Sequence, residues 1–88
     1  MKLISGFILQ DLGDEHMAVA TGEAGKVFHG LVRSNDTADF IIRELMHETT
    51  EEEIVDRMVE KYDAPRERIA EDVHRILEQF REAGILEE

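Results

Sequence analysis

"VFHGLVRSND", Val27 to Asp36, is the stretch in which the hydrophobic period of this chain changes. Before it, apolar residues recur with the two-residue period of a strand; after it they recur at three and four, as on one face of a helix. The stretch itself reads as a strand running into a helix cap. Phe28, Leu31 and Val32 put apolar groups on both faces, with Gly30 between them. A strand in so small a protein is expected to keep one face wet. What covers the rest of this one is therefore the question it poses.

Working back from Val27, "SGFILQDLG" (Ser5 to Gly13) is an apolar run, "GDE" a turn, and "HMAVATG" (His16 to Gly22) a second run. In the latter, Met17 and Val19 alternate with His16, Ala18 and Ala20, the period of a strand with one buried face. "TGEAGK", with two glycines, is the next connection. Three strands, about 5–12, 15–21 and 27–34, joined by short links predict an antiparallel meander whose first and third members are edges.

Working forward, Asn35 or Asp36 can accept hydrogen bonds from the free N–H groups of a first helix, about 36–47. Ala38, Ile41, Ile42, Leu45 and Met46 form its stripe, with Phe40 beside them. Thr50 followed by Glu53 makes a capping box for a second helix, about 50–62, striped by Ile54, Val55, Met58, Val59 and Tyr62. Pro65 suits the first position of a third helix, about 65–83, because its missing N–H would have no partner there. Ile69, Val73, Ile76, Leu77 and Phe80 line that helix, and Gly84 supplies the left-handed residue at its end. The expected fold is α+β, a single domain in which a three-stranded antiparallel β-meander precedes three α-helices.

Composition narrows the function. The chain has 88 residues, 42% of them hydrophobic, which suffices for one folded domain. Its net charge is −11, and its cations are interleaved with acids, so it repels a phosphate backbone and no nucleic-acid partner is expected. No run approaches the roughly 20 apolar residues that cross a membrane, and the N-terminal stretch lacks a signal-peptide cleavage pattern. Without cysteine there is no disulfide, thiol nucleophile or thiolate metal site; a cytoplasmic protein is expected. His16, His29, His47 and His74 fall in four different elements without the spacing of a metal pair, so they read as scattered surface residues. The carboxylates of "TEEEIVDRMVEKYD" lie along a wet helix face rather than in a pocket. Ser5 and Ser34 lack a nucleophile-elbow context, and no glycine-rich loop has phosphate-cradle spacing. No catalytic constellation, metal or cofactor is expected.

The acids and bases of "RERIAEDVHRILEQFREAG" offer ion pairs at helical spacing: Arg68 with Asp72, Arg75 with Glu71 or Glu78, and Arg81 with Glu78. The positive feature is the third strand, an edge neither charged nor blunted by proline. Its apolar groups either face the helices as core or leave an edge open to an added peptide strand.

"EKYDAPRERIAEDVHRILEQFREAGILEE" (Glu60 to Glu88) resembles the C-terminal half of the PqqD family, small proteins of pyrroloquinoline quinone biosynthesis and related peptide-maturation pathways. "VRSNDTADFIIREL" and "TTEEEIVDRMVEKYD" resemble that family's first and second helices, and "ISGFILQDLGDEHMAVATGEAGKVFHG" its meander. The resemblance implies a winged-helix-like domain that recognises ribosomally made precursor peptides. In that family the leader segment adds as a strand to the third strand, against the third helix. The core segment is then presented to a maturation enzyme, commonly a radical S-adenosylmethionine (radical SAM) protein, acting here in trans.

Carried onto this chain, the resemblance implies a strand wall of Val27, Phe28, His29, Gly30, Leu31, Val32 and Arg33. For the helix wall, Arg68, Asp72, Arg75 and Gln79 share one flank with Ile76 at its apolar border, while Ala70, His74 and Arg81 occupy the other. The first flank offers both an apolar floor and charged arms and is the one adopted, although periodicity leaves both open. Two other readings are a winged-helix DNA-binding regulator, opposed by the charge, and a homodimer paired through the open strand edge.

Overall fold

A computed structural model of the chain describes residues 1–13, 15–22, 25, 31–34 and 36–88, with Leu12 and residues 31–34 described by their backbone alone. Among the described residues the strands are β1 (Lys2–Leu3), β2 (Phe7–Leu12), β3 (Glu15–Ala20), β4 (Leu31–Ser34) and β5 (Leu86–Glu87). The helices are α1 (Asp36–Glu44), α2 (Glu51–Lys61) and α3 (Arg66–Glu82). The architecture is α+β: β2, β3 and β4 form an antiparallel sheet in that order, and the three helices follow.

A second, two-stranded sheet was not foreseen. β1 pairs antiparallel with β5, bringing Lys2 opposite Glu87 and Leu3 opposite Leu86. Leu3 also donates its N–H to the carbonyl of Leu45 at the end of α1, and Ile4 donates to Ile85. The segments around Leu3 and Ile85 are thus tied to each other and to the end of α1, and both residues lie in the core.

Register explains which face of the main sheet is dry. Phe7 pairs with Ala20, Leu9 with Ala18, and Ala18 in turn with Val32. Directly paired residues lie on one face, so Phe7, Leu9, Ala18 and Ala20 belong together. Ala18 is 1% exposed and Phe7 is buried, with Leu9 and Ala20 packed against the core. The alternation along β3 left open which set is buried; the large residues Met17 and Val19 are only half-buried, on the other side, beside Ile8 at 51% exposure. The three helices supply one apolar layer, and a small residue such as Ala18 lets it approach the sheet closely.

Helix termini follow local chemistry. Thr50 caps α2, its hydroxyl accepting from the Glu53 N–H at 3.1 Å. The Glu53 carboxylate accepts from the hydroxyl of buried Thr49, also at 3.1 Å. Pro65 stands one residue before α3 rather than as its first residue, and its carbonyl accepts from the N–H groups of Arg68 and Ile69. α1 begins at Asp36, whereas Asn35 lies outside the described residues. At the end of α3 the chain turns through Gly84 at φ 75°. Gly84 donates to Arg81, and Ile85 donates to Phe80. This pair of bonds, with Phe80 and Ile85 both in the core, closes the helix by a Schellman motif. The layer beneath the sheet is built on Ile41, Ile42, Leu45, Ile54, Met58, Val73 and Leu77, all essentially inaccessible.

Candidate functional site

β4 occupies an edge of the main sheet. Its four residues pair with β3, Leu31 opposite Val19, Val32 opposite Ala18, Arg33 opposite Met17 and Ser34 opposite His16. Among the described residues no strand lies on its other side. Along an antiparallel strand the backbone groups point alternately to one neighbour and the other. Half of the N–H and C=O groups of β4 are therefore aimed at the open edge. Of the expected strand wall, Leu31, Val32 and Arg33 lie in β4, while Val27, Phe28, His29 and Gly30 lie outside the described residues.

On α3, Arg68, Arg75 and Gln79 are exposed, Asp72 is half-buried, and Ile76 is buried at their border. Asp72 pairs with Arg75 at 3.3 Å, so Arg75 takes neither Glu71 nor Glu78 and Asp72 does not take Arg68. The opposite flank is occupied. His74 lies 3.3 Å from Glu51 of α2, and Arg81 bonds both Glu78 and Glu88 near the end of the chain. The flank of Arg68, Asp72, Arg75 and Gln79 is thus the one turned away from α2.

One constellation escaped the sequence reading. His16 on β3 presents Nδ1 to Asp11 of β2 at 3.0 Å and Nε2 to Asp36 of α1 at 2.9 Å. Arg43 of α1 donates to Asp39 from Nε at 2.8 Å and to Asp11 from Nη2 at 2.9 Å. Beside them, the Lys61 ammonium sits 5.1 Å from the ring centre of Phe40 and 5.6 Å from that of Tyr62. The two rings meet edge to face. Together His16, Asp36, Asp39, Phe40, Arg43, Lys61 and Tyr62 line a cleft of about 380 Å³.

Its electrostatics follow from these contacts. The hydrogen bond to Asp11, then that to Asp36, raises the His16 pKa above its ordinary value. The same His16 bond, aided by Arg43, lowers that of Asp11. Asp39 bonds Arg43 and holds the guanidinium charged. Asp11, His16 and Asp39 bring ligand-type atoms within 4.8 Å of one another. The Arg43 guanidinium pairs with both carboxylates, which makes the group an ion-paired network. Two signals in the sequence point to it: the i,i+4 spacing of Asp39 and Arg43, and the tight turn at Gly13 that sets Asp11 opposite His16.

Comparison with known proteins decides the family. The family model described as Coenzyme PQQ synthesis protein D (PqqD) matches residues 7–86. The chain belongs to the PqqD family. A solved structure described as TbiB1 in complex with the TbiA(beta) leader peptide superposes on this PqqD-family chain with a TM-score of 0.77. The two share 20% identity over 99% of this chain and 95% of the other, so they share a fold. A comparison with curated proteins found no match. In this PqqD-family member, no helix among the described residues is long and apolar enough to cross a membrane.

Proposed function

We propose that this PqqD-family chain binds the leader segment of a ribosomally made precursor peptide and does no chemistry of its own. The leader adds as a strand to β4, its backbone pairing with the groups that β4 aims away from β3. The strand wall is Val27 to Arg33. The helix wall is the flank of Arg68, Asp72, Arg75 and Gln79, with Ile76 as floor. The bound precursor is then delivered to a separate maturation enzyme, a radical SAM protein.

The observation that carries this reading is the edge of β4, beside which no strand lies among the described residues, in a PqqD-family fold that superposes on a protein solved with a leader peptide. Main-chain pairing gives affinity in such strand addition, and alternate side chains give selectivity. The net charge of −11 disfavours the DNA-binding alternative.

The test begins with the tagged protein as bait in lysate of its source, followed by mass spectrometry of the retained peptides and proteins. A short precursor eluting with a radical SAM enzyme is the expected result. The leader of that precursor, made synthetically, is then titrated into labelled protein while amide NMR shifts are followed. Shifts concentrated at residues 31–34 and along 68–79 support the reading. Shifts confined to other elements, or none, refute it. Recovery of the chain's own copies alone, with a concentration-dependent sedimentation rate, assigns the edge to homodimer pairing instead.

A further inference from the structure

We propose that His16, as an imidazolium, clasps the junction between β4 and α1 onto the sheet, so that the order of the β4 edge depends on pH. His16 lies opposite Ser34, the last residue of β4, and its Nε2 reaches Asp36, the first residue of α1. His16 thus meets both sides of the strand-to-helix connection, Ser34 through the backbone register of β3 and the Asp36 carboxylate through its ring. Its other nitrogen holds Asp11 of β2, so three elements meet at one ring.

Hydrogen-bond inventory decides the protonation state. A carboxylate only accepts, and a neutral imidazole carries a single N–H. With both ring nitrogens against carboxylates, both bonds exist only when both nitrogens are protonated. Among the described residues, the ring faces Asp11 from β2 and Asp36 and Asp39 from α1, with Arg43 of α1 bonded to Asp11 and Lys61 of α2 lining the same cleft.

When the ring loses a proton, the Asp36 bond is the one given up. Nδ1 sits 3.0 Å from Asp11 and 3.7 Å from Asp39, so the remaining proton stays on the side of two carboxylates. The Asp36 side chain is 82% exposed and passes to water. Because the folded state raises the His16 pKa, the clasp contributes fully below the ordinary value of 6.5 and is lost as pH rises through the raised value. A looser junction leaves β4 less ordered. On the leader-binding reading, on which this consequence rests, an incoming strand must then bear the ordering cost.

The test is amide hydrogen exchange at residues 31–34, corrected for intrinsic rates, in the wild type, Asp36→Asn and His16→Gln at about pH 5.5 and about pH 8. In the wild type, protection of the β4 amides bonded to β3 is expected to fall about two- to fivefold at the higher pH. Both variants are expected to match the wild-type high-pH value at either pH. Equal protection in the wild type and Asp36→Asn at low pH overturns the clasp, as does a pH-dependent fall that Asp36→Asn shares. If His16→Gln fails to fold, the wild-type His16 ring ¹⁵N resonances decide. Two protonated nitrogens at low pH are expected, and a neutral ring there overturns the proposal. No peptide enters these measurements, so their failure leaves leader binding standing, and failure of leader binding leaves the clasp standing.

Discussion

Replacing Leu31 and Val32 by proline, one at a time, separates the two sides of β4. Adjacent residues of an antiparallel strand send their N–H groups in opposite directions, so one of these two bonds to β3 and the other faces the open edge. Proline removes the N–H at either place. Loss of the ladder bond to β3 costs about 1 kcal/mol, a large share for a strand held by four register pairs. That variant is expected to unfold at lower urea concentration. Loss of the outward N–H leaves stability within about 0.5 kcal/mol. It removes one bond to the incoming leader, and about 1 kcal/mol corresponds to roughly fivefold weaker binding. Urea unfolding followed by circular dichroism gives the first quantity. Fluorescence anisotropy with the labelled synthetic leader gives the second. The expected pattern is reciprocal, one variant damaged chiefly in stability and the other chiefly in affinity. Two folded variants that both bind the leader like the wild type would refute strand addition at β4.

Three further outcomes are expected. Arg75→Glu weakens leader binding about two- to fivefold, whereas His74→Glu, on the flank facing α2, leaves it unchanged; the reverse ranking in the same anisotropy titration moves the groove to the other flank. Gly84→Ala, forced to adopt φ 75°, lowers stability by about 1 kcal/mol, read as a shift of the urea midpoint; an unshifted midpoint rejects the role given to that turn. Thr50→Ala removes the hydroxyl that caps α2 and costs about 1 kcal/mol; hydrogen exchange at the Glu53 amide is expected to rise with it.

The helices were the legible part of the chain because their causes are local. Apolar spacing of three and four marks the stripes of α1, α2 and α3. Thr50 caps α2 three residues before its bonding partner, and Gly84 ends α3 where only a left-handed residue closes the turn. The α+β class follows from the change of period near Val27, and the family from the run Glu60 to Glu88. Each of these is set by residues a few positions apart, whose interactions survive in any fold that contains the element.

Tertiary structure decided what depends on residues distant in sequence. The alternation of Met17 and Val19 with Ala18 and Ala20 did not say which side of β3 is buried, because a strand with apolar residues on both faces has no inherent inside. The helical layer chose the side with Ala18. The pairing of β1 with β5 joins opposite ends of the chain, and no local period announces two-residue strands. Among the described residues, the flank of α3 turned away from α2 was set by where α2 packs, through His74 and Glu51. The His16 network needed β2, β3 and α1 to converge, since four scattered histidines carry no spacing signal. Periodicity and caps are one-dimensional properties and are written in the chain. Which face is covered, which edge stays open and which charges meet are three-dimensional, and they exist only once the elements pack.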